Sequence, residues 1–143
     1  MKLIRIFFLM LFAGTMAFQA VSAQSDAPLA LVLDADGPIG PPMLEYLKRG
    51  IETAEQRNAE VLIIQLNTPG GDLSTTVEII QAFRASTVPV VVYVSPNGAM
   101  AGSAGAIISM AAHVISMAPE AAIGAASPID SSGQDLNETL AKK

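Results

Sequence analysis

Apolar positions along this chain follow two alternating rhythms. Leu29–Leu33, Val61–Leu66, Val88–Val94 and His113–Met117 are short, nearly continuous apolar runs, predicted to be strands, the first two of them buried. Ile123-Gly124 begins a further short one. The segments between them repeat at helical spacing. After the turn Gly37-Pro38-Ile39-Gly40-Pro41-Pro42, Leu44, Leu47, Ile51 and Ala54 mark one buried face of a helix over Met43–Asn58. After Thr68-Pro69-Gly70-Gly71, Asp72 is placed to cap a second helix, with Leu73, Val77 and Ile80 expected on its inner face. A glycine- and alanine-rich turn leads into a third, small-residue helix from about Ser103 to Ala112. Apolar strands separated by crossover helices predict an α/β fold. Its sheet should be mostly parallel, covered on both faces and joined by right-handed crossovers.

The N-terminus breaks this rhythm. Lys2 and Arg5 precede an apolar run from Ile6 to Phe18, and the stretch ends Val21-Ser22-Ala23. A basic start, a short apolar core and a small-x-small end describe a secretory signal peptide over residues 1–23, cleaved before Gln24. The alternative is an uncleaved anchor, for which the run is short. Residues 24–143 then form one domain. Its tail from Ser127 is polar, and the chain stops at Ala141-Lys142-Lys143 in what reads as the start of a helix, so a truncated domain is expected.

Composition narrows the chemistry. The formal charge is −5, with no basic cluster to hold phosphates, which argues against nucleic-acid binding. With no cysteine there is neither a thiol nucleophile nor a thiolate metal site, and a single histidine excludes a multi-histidine one. No cofactor is expected.

In parallel α/β sheets, functional groups gather beyond the carboxyl ends of the strands. Two glycine turns lie there. Gly70-Gly71 either presents bare N–H groups to an oxyanion or phosphate, or simply makes a tight turn into a helix. In Gly98-Ala99-Met100-Ala101-Gly102-Ser103-Ala104-Gly105, one hydroxyl stands among almost bare residues. Ser103 is either a nucleophile at a helix N-terminus or a cap on a closely packed helix. A serine nucleophile needs a base. His113 opens an apolar strand and reads as a core or strand-end histidine. Lys48 sits on the polar face of the first helix, and Lys142 and Lys143 end the chain.

Taken in order, Asn67-Thr68-Pro69-Gly70-Gly71, the run from Val90 to Gly105, Ala112-His113-Val114 with Met117-Ala118-Pro119, and Ile123-Gly124-Ala125-Ala126 resemble the NfeD family. These are membrane-associated serine proteases of the ClpP/crotonase superfamily. The resemblance covers Leu29 to Lys143 and implies a ClpP/crotonase-like fold that is incomplete at the C-terminus. It implies a histidine-free Ser–Lys dyad with Ser103 as nucleophile. The base falls on Lys143, within Asn137-Glu138-Thr139-Leu140-Ala141-Lys142-Lys143, with Lys142 as fallback. Gly70 and Gly71 match the oxyanion-hole turn. Hydrophobic peptide substrates are implied, including stomatin-like membrane proteins, as are a homo-oligomer of at least two copies and membrane association through segments beyond residue 143; the signal peptide adds an exported location, periplasmic or on the extracytoplasmic face of the membrane. Two other readings fit some of these features. One is a non-catalytic scaffold for stomatin- or flotillin-like proteins. The other is a crotonase-type acyl-CoA enzyme, which the signal peptide disfavours.

Overall fold

The computed structural model describes residues 27–126. The signal segment, Lys142 and Lys143 lie outside these residues. Six strands and three helices follow one another as β1 (Ala30–Asp36), α1 (Pro41–Gln56), β2 (Val61–Asn67), α2 (Leu73–Ala85), β3 (Val90–Val94), β4 (Met100–Gly102), α3 (Ala104–Ala111), β5 (Val114–Met117) and β6 (Ala122–Gly124). Strands β1-β2-β3-β5 form a parallel sheet in that order, and β4 and β6 pair in parallel as a small second sheet. The mostly parallel sheet with crossover helices is therefore as the sequence predicts.

Among the described residues, helices cover one face of the sheet. Each helix packs against the next, α1 on α2 and α2 on α3, so all three share a side. Burial alternates accordingly. Leu62, Ile64 and Leu66 of β2 and Val90, Val92 and Val94 of β3 are buried, and they meet Leu47, Ile51, Ile79, Phe83 and Ile108 from the helices in one core. On the opposite face Ile63 and Val91 are half-buried, and Val32 and Val114 at the margins are about half exposed. Strand order explains this. Each crossover moves to the next strand in one direction, and crossovers of one hand then place every helix on the same side.

Local chemistry sets the helix ends. Pro41 and Pro42 start α1, where their missing N–H groups cost nothing. It ends in a Schellman motif. Asn58 takes φ 51°, its N–H donates to Glu55 O, and the Ala59 N–H donates to Ala54 O at 2.8 Å. The buried face of α1 is the expected Leu44, Leu47, Ile51 and Ala54.

Helix α2 is rotated from expectation. Thr75, Thr76, Ile79 and Phe83 are buried, whereas Leu73 and Val77 are exposed and Ile80 is only partly covered. The two threonines are tolerated inside because their polar groups are used locally. Thr76 Oγ1 donates to Asp72 O at 2.7 Å, and the Thr75 N–H donates to the Asp72 carboxylate at 2.7 Å. Buried Phe83 then fixes which side of α2 faces the sheet.

Candidate active site

Strands β2 and β3 run side by side and release their chains at the same edge of the sheet. After β2 the chain turns through Thr68-Pro69-Gly70-Gly71 into α2. After β3 it forms β4, a strand inside the stretch that the sequence suggested was only a turn. Two backbone bonds bring these pieces together, and a third ties Ser103 to β6. Thr68 N–H donates to Met100 O at 2.6 Å, Gly102 N–H to Thr68 O at 2.9 Å, and Ser103 N–H to Gly124 O at 2.8 Å. Asn67 adds a side-chain link, with its Oδ1 accepting from the Met100 N–H at 3.1 Å.

Ser103 sits between β4 and α3, where strand becomes helix with no intervening loop. Its φ of 49° and ψ of −115° place a non-glycine residue in a region L-residues avoid, a strained conformation that concentrates at functional sites. Ser103 occupies the N-cap position of α3, yet its hydroxyl makes no cap bond. The side chain is half-buried. A strained serine on a sharp strand-to-helix turn, with small residues on both sides, is the arrangement of a nucleophile elbow.

The glycine turn lies directly against it. Gly70 has φ 109°, and a methyl group there would lie 2.8 Å from Ser103 Cβ and 3.2 Å from Ala104 N. Only glycine allows this backbone to approach so closely. The Gly70 N–H is already engaged, donating to Thr68 Oγ1 at 3.1 Å. Among the described residues, the N–H groups of Gly71 and Ala104 donate to no protein acceptor. In an elbow, the residue after the nucleophile supplies one oxyanion donor. Ala104 was not singled out from the sequence, although the spacing of Ala101, Ser103 and Gly105 carries that signal.

Asp72 closes the turn as the N-cap of α2. Hydrogen bonds from the Ser74 side chain first, then from Thr75, hold its carboxyl at about 2, below its ordinary 3.8. A lowered folded value means the ionised cap stabilises the protein above the unfolded value, and that contribution is lost as pH falls towards about 2. Asp72→Asn keeps an acceptor but not the charge. Melting curves of parent and variant should therefore show the parent more stable at neutral pH, with the gap closing between pH 4 and 2.

The remaining candidates lie elsewhere. His113 is a strand-end residue. Its Nδ1 accepts from the Val90 N–H at 3.1 Å, and its backbone N–H donates to Val90 O at 2.9 Å. That clamp is at the start of β3, whereas Ser103 lies beyond its end. Lys48 pairs with Glu78 across α1 and α2 at 3.2 Å, a half-exposed contact. The described residues include no group of three or more acidic, histidine or cysteine side chains arranged for a metal ion.

Residues 31–142 match the model of the NfeD1b N-terminal domain. The chain belongs to this family. Over 85 residues it is 47% identical to the membrane-bound protease PH1510 of Pyrococcus horikoshii, covering 59% of this chain and 19% of that protein. Over 118 residues it is 28% identical to the membrane protein NfeD1b of Bacillus subtilis, covering 82% of this chain and 26% of that one. The chain thus spans about a fifth to a quarter of these relatives.

Among solved structures it is similar to the membrane-bound stomatin-specific protease 1510-N. A lysine-to-alanine variant of that protein with a substrate peptide aligns at TM-score 0.75 and 37% identity, covering 80% of this chain and 55% of that one. A serine-to-alanine variant aligns at TM-score 0.75 and 36% identity, covering 79% and 57%. A ClpP1 variant from Listeria monocytogenes, at TM-score 0.51 and 21% identity, shares the fold over 57% of this chain and 46% of its own length. The NfeD resemblance and the ClpP-like fold are both upheld. The relatives are membrane proteins, and no helix of the described residues is long and apolar enough to cross a membrane.

Proposed function

We propose that this NfeD1b-type domain is a serine endopeptidase acting on hydrophobic segments of stomatin-like membrane proteins. The observation that carries this reading is the strained Ser103 elbow pressed against the Gly70-Gly71 turn. Similarity to a stomatin-specific protease supports the substrate class. The solved structures of 1510-N include both a serine and a lysine variant, which supports a Ser–Lys pair.

In the proposed reaction, neutral Lys143 takes the Ser103 proton and Ser103 Oγ attacks a peptide carbonyl. The N–H groups of Gly71 and Ala104 receive the oxyanion, with Gly70 forming the wall behind them. The carbon–nitrogen bond breaks as Lys143 returns the proton to the leaving amine. Water, activated by the same lysine, then releases the acyl group. A lysine works as a base only where burial or nearby positive charge keeps it neutral. The proposal places the domain outside the cytoplasm after removal of residues 1–23, in an assembly of at least two copies.

Cleavage of a hydrophobic peptide by the parent, Ser103→Ala and Lys143→Ala tests this directly. Loss of turnover in both variants, with folding retained, is the expected result. Activity that survives Lys143→Ala but not Ser103→Ala moves the base to Lys142. Activity unchanged in both removes the protease reading and leaves the scaffold role.

A further inference from the structure

Thr68 is the buried residue that joins both halves of the site. It is 1% exposed, so its hydroxyl must find its partners inside the protein. Thr68 Oγ1 accepts the Gly70 N–H at 3.1 Å and lies 3.4 Å from Gly70 O, touching the peptide groups on both sides of Gly70. The second of these peptides carries the Gly71 N–H at its other end. Its carbonyl is held from outside by the Ile39 N–H at 2.8 Å. The threonine methyl faces the opposite way, and a Cβ on Gly105 would lie 2.5 Å from it, in the first turn of α3. The Thr68 backbone meanwhile pairs with Met100 and Gly102, which lead into Ser103.

We infer that Thr68 is the positioning residue of the oxyanion site. Its hydroxyl fixes the two peptide planes around Gly70, so that the Gly71 N–H is aimed while the Gly70 N–H is occupied. Its methyl packs towards Gly105 in the first turn of α3. The inference rests on the serine-hydrolase reading for its kinetic consequence and on geometry alone for its structural one. A misplaced donor costs turnover more than binding, because the oxyanion exists only after attack.

Thr68→Val keeps the shape and removes the hydroxyl; Thr68→Ser keeps the hydroxyl and removes the methyl. Acylation of Ser103 by a fluorophosphonate probe and turnover of a hydrophobic peptide are measured in parent and variants, together with amide NMR shifts of Gly70, Gly71 and Ala104. Thr68→Val is expected to lower kcat and the acylation rate by roughly 10²-fold with KM nearly unchanged. It should also shift the Gly70 and Gly71 amides, and Thr68→Ser should restore most of both. A parent-like rate in Thr68→Val overturns the inference. So does a faster rate, which would make the hydroxyl a restraint on Gly70 and not a guide for Gly71. If the parent serine is inert to the probe, the hydrolase reading fails by itself. The amide shifts then decide the role of Thr68, and unmoved Gly71 and Ala104 signals in Thr68→Val count against it.

Discussion

Ser103→Gly is expected to be inactive and more stable than the parent. Serine at φ 49° and ψ −115° occupies a conformation that costs about 1–3 kcal/mol. Glycine adopts it without that strain but loses roughly 0.5–1 kcal/mol through the extra freedom of its unfolded chain. A net gain of about 1 kcal/mol follows, or a rise of roughly 4–8 °C in the melting midpoint for a domain of this size. Ser103→Ala removes the same hydroxyl and keeps the strain, so it should melt near or below the parent. Turnover should fall in both, by on the order of 10⁶ as in other serine hydrolases that lose their nucleophile. Calorimetry of the three proteins checks the point. Equal melting of the glycine and alanine variants would show that the elbow stores no strain.

The largest loss of stability near the site should come from Gly71→Ala. A Cβ at this position would overlap the backbone carbonyl of Ile39, which has no side-chain freedom with which to yield. The parallel bridge between Ile39 and Gly71 would have to open. It is held by Ile39 N–H to Gly70 O at 2.8 Å and Asp72 N–H to Ile39 O at 2.9 Å. Overpacking against rigid backbone and losing both bonds should cost about 3 kcal/mol. Displacing the Gly71 donor should cost a further ~10²–10³ in turnover in whatever fraction stays folded. Gly40→Ala is the matched control. Its φ of −158° suits any residue, and only Pro42 Cδ approaches a new Cβ, at 3.9 Å. Denaturant midpoints for the two variants should differ widely, and similar midpoints would contradict the geometry.

The sequence exposes the parts of this fold whose physics is local. Helix α1 was legible because Leu44, Leu47, Ile51 and Ala54 repeat without competition and two prolines mark its start. The central strands were legible because β-branched residues crowd them. Helix α2 and its Asp72 cap were legible too, but its buried face was not, because it includes Thr75 and Thr76. Their hydrogen bonds within the cap make them acceptable inside, and no hydropathy pattern contains that information. Strand β4 was hidden by its brevity and by Ala101 and Gly102, which have no strand preference. The placing of all three described helices on one side of the sheet depends on strand order, which apolar runs do not encode.

The same division applies to the site. Ser103 and the Gly70-Gly71 turn stand out because bare residues in such concentrations need a reason. Thr68 and the Ala104 N–H do not, because their roles arise only where two distant segments meet. Lys143, implied by resemblance alone, lies outside the described residues and stays a proposal.

The bond from the Ser103 N–H to Gly124 O places the last turn of the elbow in the hands of a strand made later than the elbow itself. The chain is synthesised from its N-terminus, so the first three strands exist before β6 does. Strands β1 to β3 can pair while Ser103 still lacks the β6 contact that seats it. On the hydrolase reading, a chain leaving the ribosome carries an inert serine until β6 has been synthesised and docked. On that reading, a nascent chain cannot turn an active serine on its own apolar segments before β6 is in place.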